Sequence, residues 1–163
     1  MKRIILFTAM LITAVFGIVR AQADRPELAS AEIYVVDSEL MRLIPVTEQL
    51  IKGDGEFMAQ QAVRRLIRGY DSNRKIRRLI PERGDCISLK LNDRIACINL
   101  KTKYLKDELT SRDLEKLFVY QVVNTVTAVP GIDAVKFTLD GCQTKKLAGY
   151  LDMRDVFVPD YLI

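Results

Sequence analysis

Few residues of this chain have the types and the spacing that chemistry requires. The 163 residues include no histidine, which excludes Ser-His and Cys-His pairs, HExxH metal helices and imidazole acid-base catalysis. The three cysteines include no CxxC pair, so a zinc site is not expected either. The inventory predicts that no residue is catalytic, that none binds a metal and that the protein uses no cofactor.

Two pairs of neighbouring acidic residues are the exception. Asp37 lies close in sequence to Glu39, and Asp152 to Asp155. Two carboxylates that flank a glycosidic bond can hydrolyse it. The surrounding sequence, however, predicts no apolar pocket that would shift the pKa of either pair. The favoured interpretation is that these carboxylates cap turns and keep the protein soluble. A secreted carboxylate-dependent hydrolase is a less favoured hypothesis about function, ranked behind the two hypotheses given below.

A dense group of basic residues is the other candidate site. Its members are Arg64, Arg65, Arg68, Arg74, Lys75, Arg77, Arg78 and Arg83. Such clusters attract phosphate groups and other anions. One interpretation is a solvated helix face. The other is a docking surface for an acidic partner protein, a wall polymer or an anionic lipid. Nucleic acid is not an expected partner, because the chain is predicted to be exported and only Tyr70 could stack on a base.

The chain begins with the features of a secretory signal. Lys2 and Arg3 form a basic start, and the apolar run Ile4–Val19 is short for a membrane span, which needs about 20 residues. Ala21 and Ala23 are the small residues that a signal peptidase recognises. We therefore predict that residues 1–23 are a signal peptide cleaved after Ala23. An uncleaved membrane anchor is the alternative.

Cleavage would leave an extracytoplasmic, secreted protein. No cysteine precedes Cys86, so a lipid on a processed N-terminal cysteine is not expected. Removing Lys2, Arg3 and Arg20 from the 25 basic residues leaves 22 against 21 acidic ones, so the mature part is nearly neutral. About 140 residues suffice for one domain with a core. We predict a short tether at 24–30 and a single domain at 31–163.

The segment from Thr110 to Gly141 carries the clearest structural signals. Three- and four-residue spacing of apolar residues predicts a helix with one buried face. That face comprises Leu114, Leu117, Phe118, Val122, Val126 and Val129. Thr110 marks the start of the helix and Pro130-Gly131 its end. Alternation over residues 134–139 then predicts a strand, closed by the hairpin signal Asp140-Gly141.

Similar patterns predict the remaining elements. A first hairpin is predicted for residues 31–37 and 40–47, and a helix that ends at Gly69 for residues 57–70. A second hairpin, with its turn at Asn92-Asp93, is predicted for residues 86–99. Residues 143–163 are predicted to form a short return strand and a tail. The order ββαββαββ predicts an α+β fold. It would be a two-layer sandwich in which two helices cover one face of a mixed or antiparallel sheet. Cys86 and Cys97 would be diagonal neighbours, which disfavours a disulfide without excluding it.

Several segments, in their order along the chain, resemble one family. They are AEIYVVD (31–37), QQAVRRLIRG (60–69), LIPE (79–82), ACINL (96–100), YQVVNTVTAVPGIDAVKFTLDG (120–141) and LAGYLDM (147–153). Together they resemble the GerMN domain of bacterial sporulation and spore-germination proteins, over roughly residues 31–157. The most specific positions are Gln121, Asn124, Thr125, Pro130, Gly131, Val135, Asp140 and Gly141.

The resemblance implies an extracytoplasmic, non-enzymatic module that works through contacts with other envelope proteins or with itself. It also implies a likeness to ring-building folds that assemble between mother cell and forespore. The second hypothesis is a module that binds wall polymer or anionic lipid through the arginine-rich helix. Asn124 and Thr125 are expected to hydrogen-bond backbone groups rather than a ligand.

Overall fold

The computed structural model describes residues 25–70, 75–82, 85–105, 109–143 and 146–163. The predicted signal, with Ala21 and Ala23, lies outside the described residues. The first strand begins at Leu28, which pairs with Ile51. Residues 28–30, which the sequence analysis assigns to the tether, therefore belong to the first sheet.

The first sheet is antiparallel and has the order β2-β1-β3. Its strands are β1 (Leu28–Asp37), β2 (Arg42–Ile51) and β3 (Ile76–Arg77). The turn between β1 and β2 is longer than predicted, because the Asp37 carboxylate accepts the backbone N–H groups of Glu39 and Leu40. The chain then enters β2 through Met41, whose φ of 47° is left-handed. Consequently β2 begins two residues later than predicted and extends to Ile51.

The second sheet is mixed and has the order β4-β5-β6-β7. Its strands are β4 (Ile87–Asn92), β5 (Ile95–Leu100), β6 (Ala134–Leu139) and β7 (Val156–Phe157). β5 and β6 are parallel, and the other neighbours are antiparallel. The β4–β5 turn lies at Asp93-Arg94, one residue later than predicted, because Asp93 adopts the left-handed φ of 54°. Cys97 consequently lies opposite Lys90, and no disulfide joins it to Cys86.

The first helix, α1 (Gly55–Arg68), is amphipathic as predicted. Asp54 caps its start by accepting the Phe57 N–H, and Gly69 ends it with a φ of 74°. The helical spacing of apolar residues places Phe57 on the inner face of α1, but the structure leaves it 40% exposed. It lies in the first turn of the helix, and its ring packs on the backbone of Gly53.

The second helix, α2 (Arg112–Thr127), is buried on nearly all sides. Eleven of its 16 residues are buried, including Val119 and Val123, which lie outside the predicted apolar stripe. The reason is that α2 contacts α1 as well as strands of both sheets. Its capping residue is Ser111 rather than Thr110. In the described part of the chain, no helix has the length and hydropathy needed to cross a bilayer.

The α+β class, with two helices on mixed and antiparallel strands, is confirmed. The strands divide into two sheets where the sequence analysis expects one. At the centre of β1, the Tyr34 N–H donates to Thr125 Oγ1 of α2 at 2.9 Å. β3 pairs with β1 only at Val36 and Asp37, and α2 takes the place of a strand beside β1 at Tyr34.

Candidate functional site

The acidic pairs lie in turns. Asp37 Oδ1 accepts the N–H groups of Leu40 (3.0 Å) and Glu39 (2.8 Å), and these bonds hold the pKa of the Asp37 carboxyl below its ordinary value. Glu39 forms an ion pair with Lys75. Asp152 binds Arg154 at 2.6 Å, and Asp155 is exposed. Across the described ranges, no three cysteine or acidic side chains converge closely enough to hold a metal ion.

A serine-lysine spacing escaped the sequence analysis. Ser72 and Lys75 match S-x-x-K, in which a lysine can assist a serine nucleophile. Ser72 lies outside the described residues. Lys75 bonds to the β1–β2 turn through the Glu39 carboxylate.

Some members of the predicted basic group bond to neighbouring parts of the chain. Arg65 lies 3.8 Å from Glu48 of β2. Arg78 forms an ion pair with Glu82 at 2.7 Å and donates to the Arg68 carbonyl oxygen at the end of α1. Arg65 and Arg78 therefore contribute to the contacts between neighbouring elements.

Two arginines of α1 remain available to solvent. Arg64 and Arg68 are exposed and make no ion pair with any residue in the described ranges. Arg77 lies near Met41 in the β1–β2 turn. Arg74 and Arg83 lie outside the described residues. Lys75, Arg77 and Arg78 are exposed as well, so most of the described basic residues are accessible to solvent.

A groove separates α1 from β4, the edge strand of the second sheet. It encloses about 190 Å³ and is lined by Gln60, Val63, Arg64, Ile67, Ile87, Ser88 and Leu89. At one end, Gln60 Nε2 donates to the Leu89 carbonyl oxygen at 3.3 Å, and Glu56 Oε2 accepts the Leu91 N–H at 2.8 Å. We name this feature the α1–β4 groove. The groove is not evident from the sequence, because it depends on how α1 approaches a strand that is distant along the chain.

Three polar residues of the family motif are buried in α2: Gln121, Asn124 and Thr125. Thr125 binds the backbone of β1, as described above. The Asn124 amide makes two bonds to the backbone of Asp160, at 2.7 Å to its carbonyl oxygen and 3.0 Å from its N–H. Both side chains therefore bond to backbone, as expected. Gln121 Oε1 bonds to no described residue and borders a cavity of about 40 Å³.

The remaining motif residues shape turns. Gly131 and Gly141 have left-handed φ values of 92° and 82°, which only glycine adopts without strain. The Asp140 carboxylate accepts the backbone N–H and the hydroxyl of Thr102, at 3.1 Å and 2.5 Å. Pro130 lies just beyond the end of α2. These positions support the connections around β6.

Glu115 is a buried acidic residue that the sequence analysis missed. It is fully buried in α2. Its carboxylate accepts three backbone N–H groups, from Ala148 (3.0 Å), Tyr150 (2.8 Å) and Leu151 (3.3 Å). Glu115 thereby fixes the LAGYLDM segment onto α2. One sequence signal could have revealed the burial of Glu115: it is an acidic residue between Leu114 and the apolar positions that follow in the predicted helix.

Residues 32–145 match the family model described as Germane: Sporulation and spore germination. That match covers most of the chain. No curated protein sequence matches significantly.

Solved structures share the fold. The tandem GerMN domains of the sporulation protein GerM from Bacillus subtilis align with a TM-score of 0.64 and 21% identity, covering 81% of this chain and 46% of that one. The first GerMN domain of the same protein aligns with a TM-score of 0.55 and 21% identity, covering 78% and 99%. A candidate lipoprotein from Clostridium perfringens aligns with a TM-score of 0.56 and 19% identity, covering 80% and 87%. At these identities the likeness shows the fold alone.

Proposed function

The chain belongs to the Germane family of sporulation and spore-germination proteins, and on that premise we propose that it is an exported, non-enzymatic protein-interaction module of the bacterial cell envelope. The main support for this proposal is that the buried polar side chains of α2 bond to the backbone of their own chain. Glu115, Asn124 and Thr125 are buried in α2, and each binds backbone of its own chain. Their chemistry is committed to holding the fold, which leaves the surface as the part that can meet a partner.

Export is supported by the N-terminal sequence and by one structural neighbour. A basic start, an apolar run and the small residues Ala21 and Ala23 form the pattern of a signal peptide. A neighbour of the same fold is a candidate lipoprotein, and lipoproteins reside on membranes.

Two measurements test the proposal. Tagged protein from its host should lie outside the cytoplasmic membrane, with a processed N-terminus at Asp24. Cross-linking in intact cells should recover a reproducible protein adduct. An unprocessed cytoplasmic protein without adducts would contradict the proposal.

Hydrolysis is tested separately with the purified protein. Glycan and ester substrates should show no turnover above that of a heat-denatured control. Turnover that disappears in Asp37→Asn, Asp152→Asn or Ser72→Ala would instead identify an enzyme.

A second candidate function is binding of wall polymer or anionic lipid through α1. Exposed Arg64 and Arg68 favour it, since neither makes an ion pair within the described residues. Sedimentation with purified walls or anionic vesicles should then fall with added salt. It should disappear when Arg64, Arg65 and Arg68 are changed to Glu. Sedimentation unaffected by either change would exclude this candidate.

A further inference from the structure

One edge of the second sheet faces α1 across the α1–β4 groove. The Lys101 N–H donates to the Cys86 carbonyl oxygen at 2.9 Å. Hydrogen-bonded pairs alternate along an antiparallel ladder. The backbone groups of Ile87, Leu89 and Leu91 therefore point away from β5, towards α1.

Side chains of α1 satisfy only part of that edge. Glu56 accepts the Leu91 N–H, and Gln60 donates to the Leu89 carbonyl oxygen. The Leu89 N–H and both backbone groups of Ile87 have no hydrogen-bond partner within the described part of the chain. Ile87 and Leu89 are buried as whole residues but line the α1–β4 groove, and unpaired backbone groups at a sheet edge are a template for another extended segment.

The groove also has a definite chemical character. Val63 and Ile67 supply apolar side chains to its lining, and Arg64 is exposed at its side. The unsatisfied backbone groups are two donors and one acceptor, and the Arg64 guanidinium adds further donors. This excess of donors favours a carboxylate. A volume of about 190 Å³ suits a short stretch of extended chain rather than a folded domain.

We propose that the α1–β4 groove binds an extended, acidic peptide segment of a partner protein, which joins the second sheet as a strand beside β4. Backbone bonds to Ile87 and Leu89 provide part of the affinity, as in other cases of strand addition. An aliphatic side chain of the peptide packs on Val63 and Ile67, and a carboxylate pairs with Arg64. This inference rests on the proposed interaction function and adds to it a site and a partner chemistry.

Fluorescence anisotropy with synthetic peptides tests the inference on the purified protein. The probes are fluorescein-labelled hexapeptides in which Glu alternates with Val, Ile or Leu. At least one should bind with a dissociation constant below about 1 mM. The same peptides with Lys in place of Glu should bind at least roughly tenfold more weakly. N-methylation of the backbone amides should abolish binding, because strand addition needs those N–H groups.

Two charge-reversal variants locate the binding. Arg64→Glu should weaken binding of the Glu peptides at least roughly tenfold. The matched control is Arg112→Glu, which reverses an exposed arginine at the start of α2 and should leave binding unchanged. Circular dichroism checks that both variants are folded. Equal effects of the two substitutions would overturn the proposed site.

Amide chemical shifts provide the decisive map. Peptide addition should move the signals of Ile87, Ser88 and Leu89. Shifts confined to other edges, such as residues 28–32, would overturn the inference, as would the absence of any binding. Binding of anionic vesicles through the same groove, without peptide binding, would also overturn it. If the peptides fail while cross-linking in cells still yields a protein adduct, the groove is excluded and the interaction function stands.

Discussion

Glu115 is a buried residue whose single carboxylate satisfies three backbone N–H groups. Replacing it with Ala would leave those donors unpaired in the interior. We expect Glu115→Ala to lower the free energy of unfolding by about 3 kcal/mol or more, and Glu115→Gln by somewhat less. Urea unfolding measures the change.

The control for this prediction is Glu27→Gln. Glu27 makes an exposed ion pair with Lys52, and such pairs contribute at most about 1 kcal/mol. Equal stability of the Glu115 and Glu27 variants would show that the LAGYLDM segment does not depend on the buried carboxylate.

Asp37 gives a prediction about pH. Bonds from the N–H groups of Leu40 and Glu39 lower the pKa of its carboxyl in the folded protein. A lowered folded pKa contributes stability above the unfolded pKa of about 3.9, and this stability is lost as the pH falls through the folded pKa. Thermal unfolding should therefore show the wild type to be more stable than Asp37→Asn near neutral pH. The two curves should converge in strong acid, and a gap that is independent of pH would contradict this assignment.

At the scale of elements, α1 connects the two sheets through side chains on its two flanks. Glu56 and Gln60 bind the edge of β4. On the other flank, the Gln61 amide accepts the Ile51 N–H at 3.0 Å and donates to the Ile51 carbonyl oxygen at 2.8 Å. In Gln61→Ala, the Ile51 amide should exchange its hydrogen roughly fivefold faster, since one bond of about 1 kcal/mol is lost. Unchanged exchange would show that Gln61 does not protect the β2 edge.

The C-terminal tail is held by α2 and by β2. Asn124 makes two bonds to the Asp160 backbone, and the Leu43 N–H donates to the Ile163 carbonyl oxygen at 3.0 Å. Asn124→Ala should cost about 2 kcal/mol of stability. It should also raise hydrogen exchange at residues 160–163, whereas exchange in β6 should change little. If β6 and the tail lose protection together, the tail is not a separately docked element.

Sequence patterns predict where the helices and strands form better than they predict what surrounds and buries each one. The alternation in β6 correctly predicts a strand, and the apolar spacing in α1 correctly predicts a helix. In both elements one face packs against neighbouring elements, so the apolar residues recur with a clear period. In α2, by contrast, contacts on several sides bury Val119 and Glu115 alike, so an apolar stripe underestimates its burial. The α1–β4 groove was missed because its two sides are brought together only by tertiary packing.

At the scale of the whole molecule, α2 packs against both sheets and against α1. The arrangement commits most buried polar groups to internal bonds. In the α1–β4 groove, beside the exposed Arg64, backbone donors of β4 bond to no residue that the structure describes. The basic residues looked like one surface in the sequence because they are close along the chain. Folding divides them between ion pairs, as for Arg65 and Arg78, and the groove side, as for Arg64.

If a protein partner docks beside β4, site-specific photo-cross-linking in host cells should capture it there. The photoreactive residue replaces Lys90, which is exposed on β4 next to the α1–β4 groove, or Asp113, which is exposed on α2. We predict a protein adduct from position 90 that disappears with Arg64→Glu, and no adduct from position 113. Adducts from position 113 alone, or from neither position, would contradict the account.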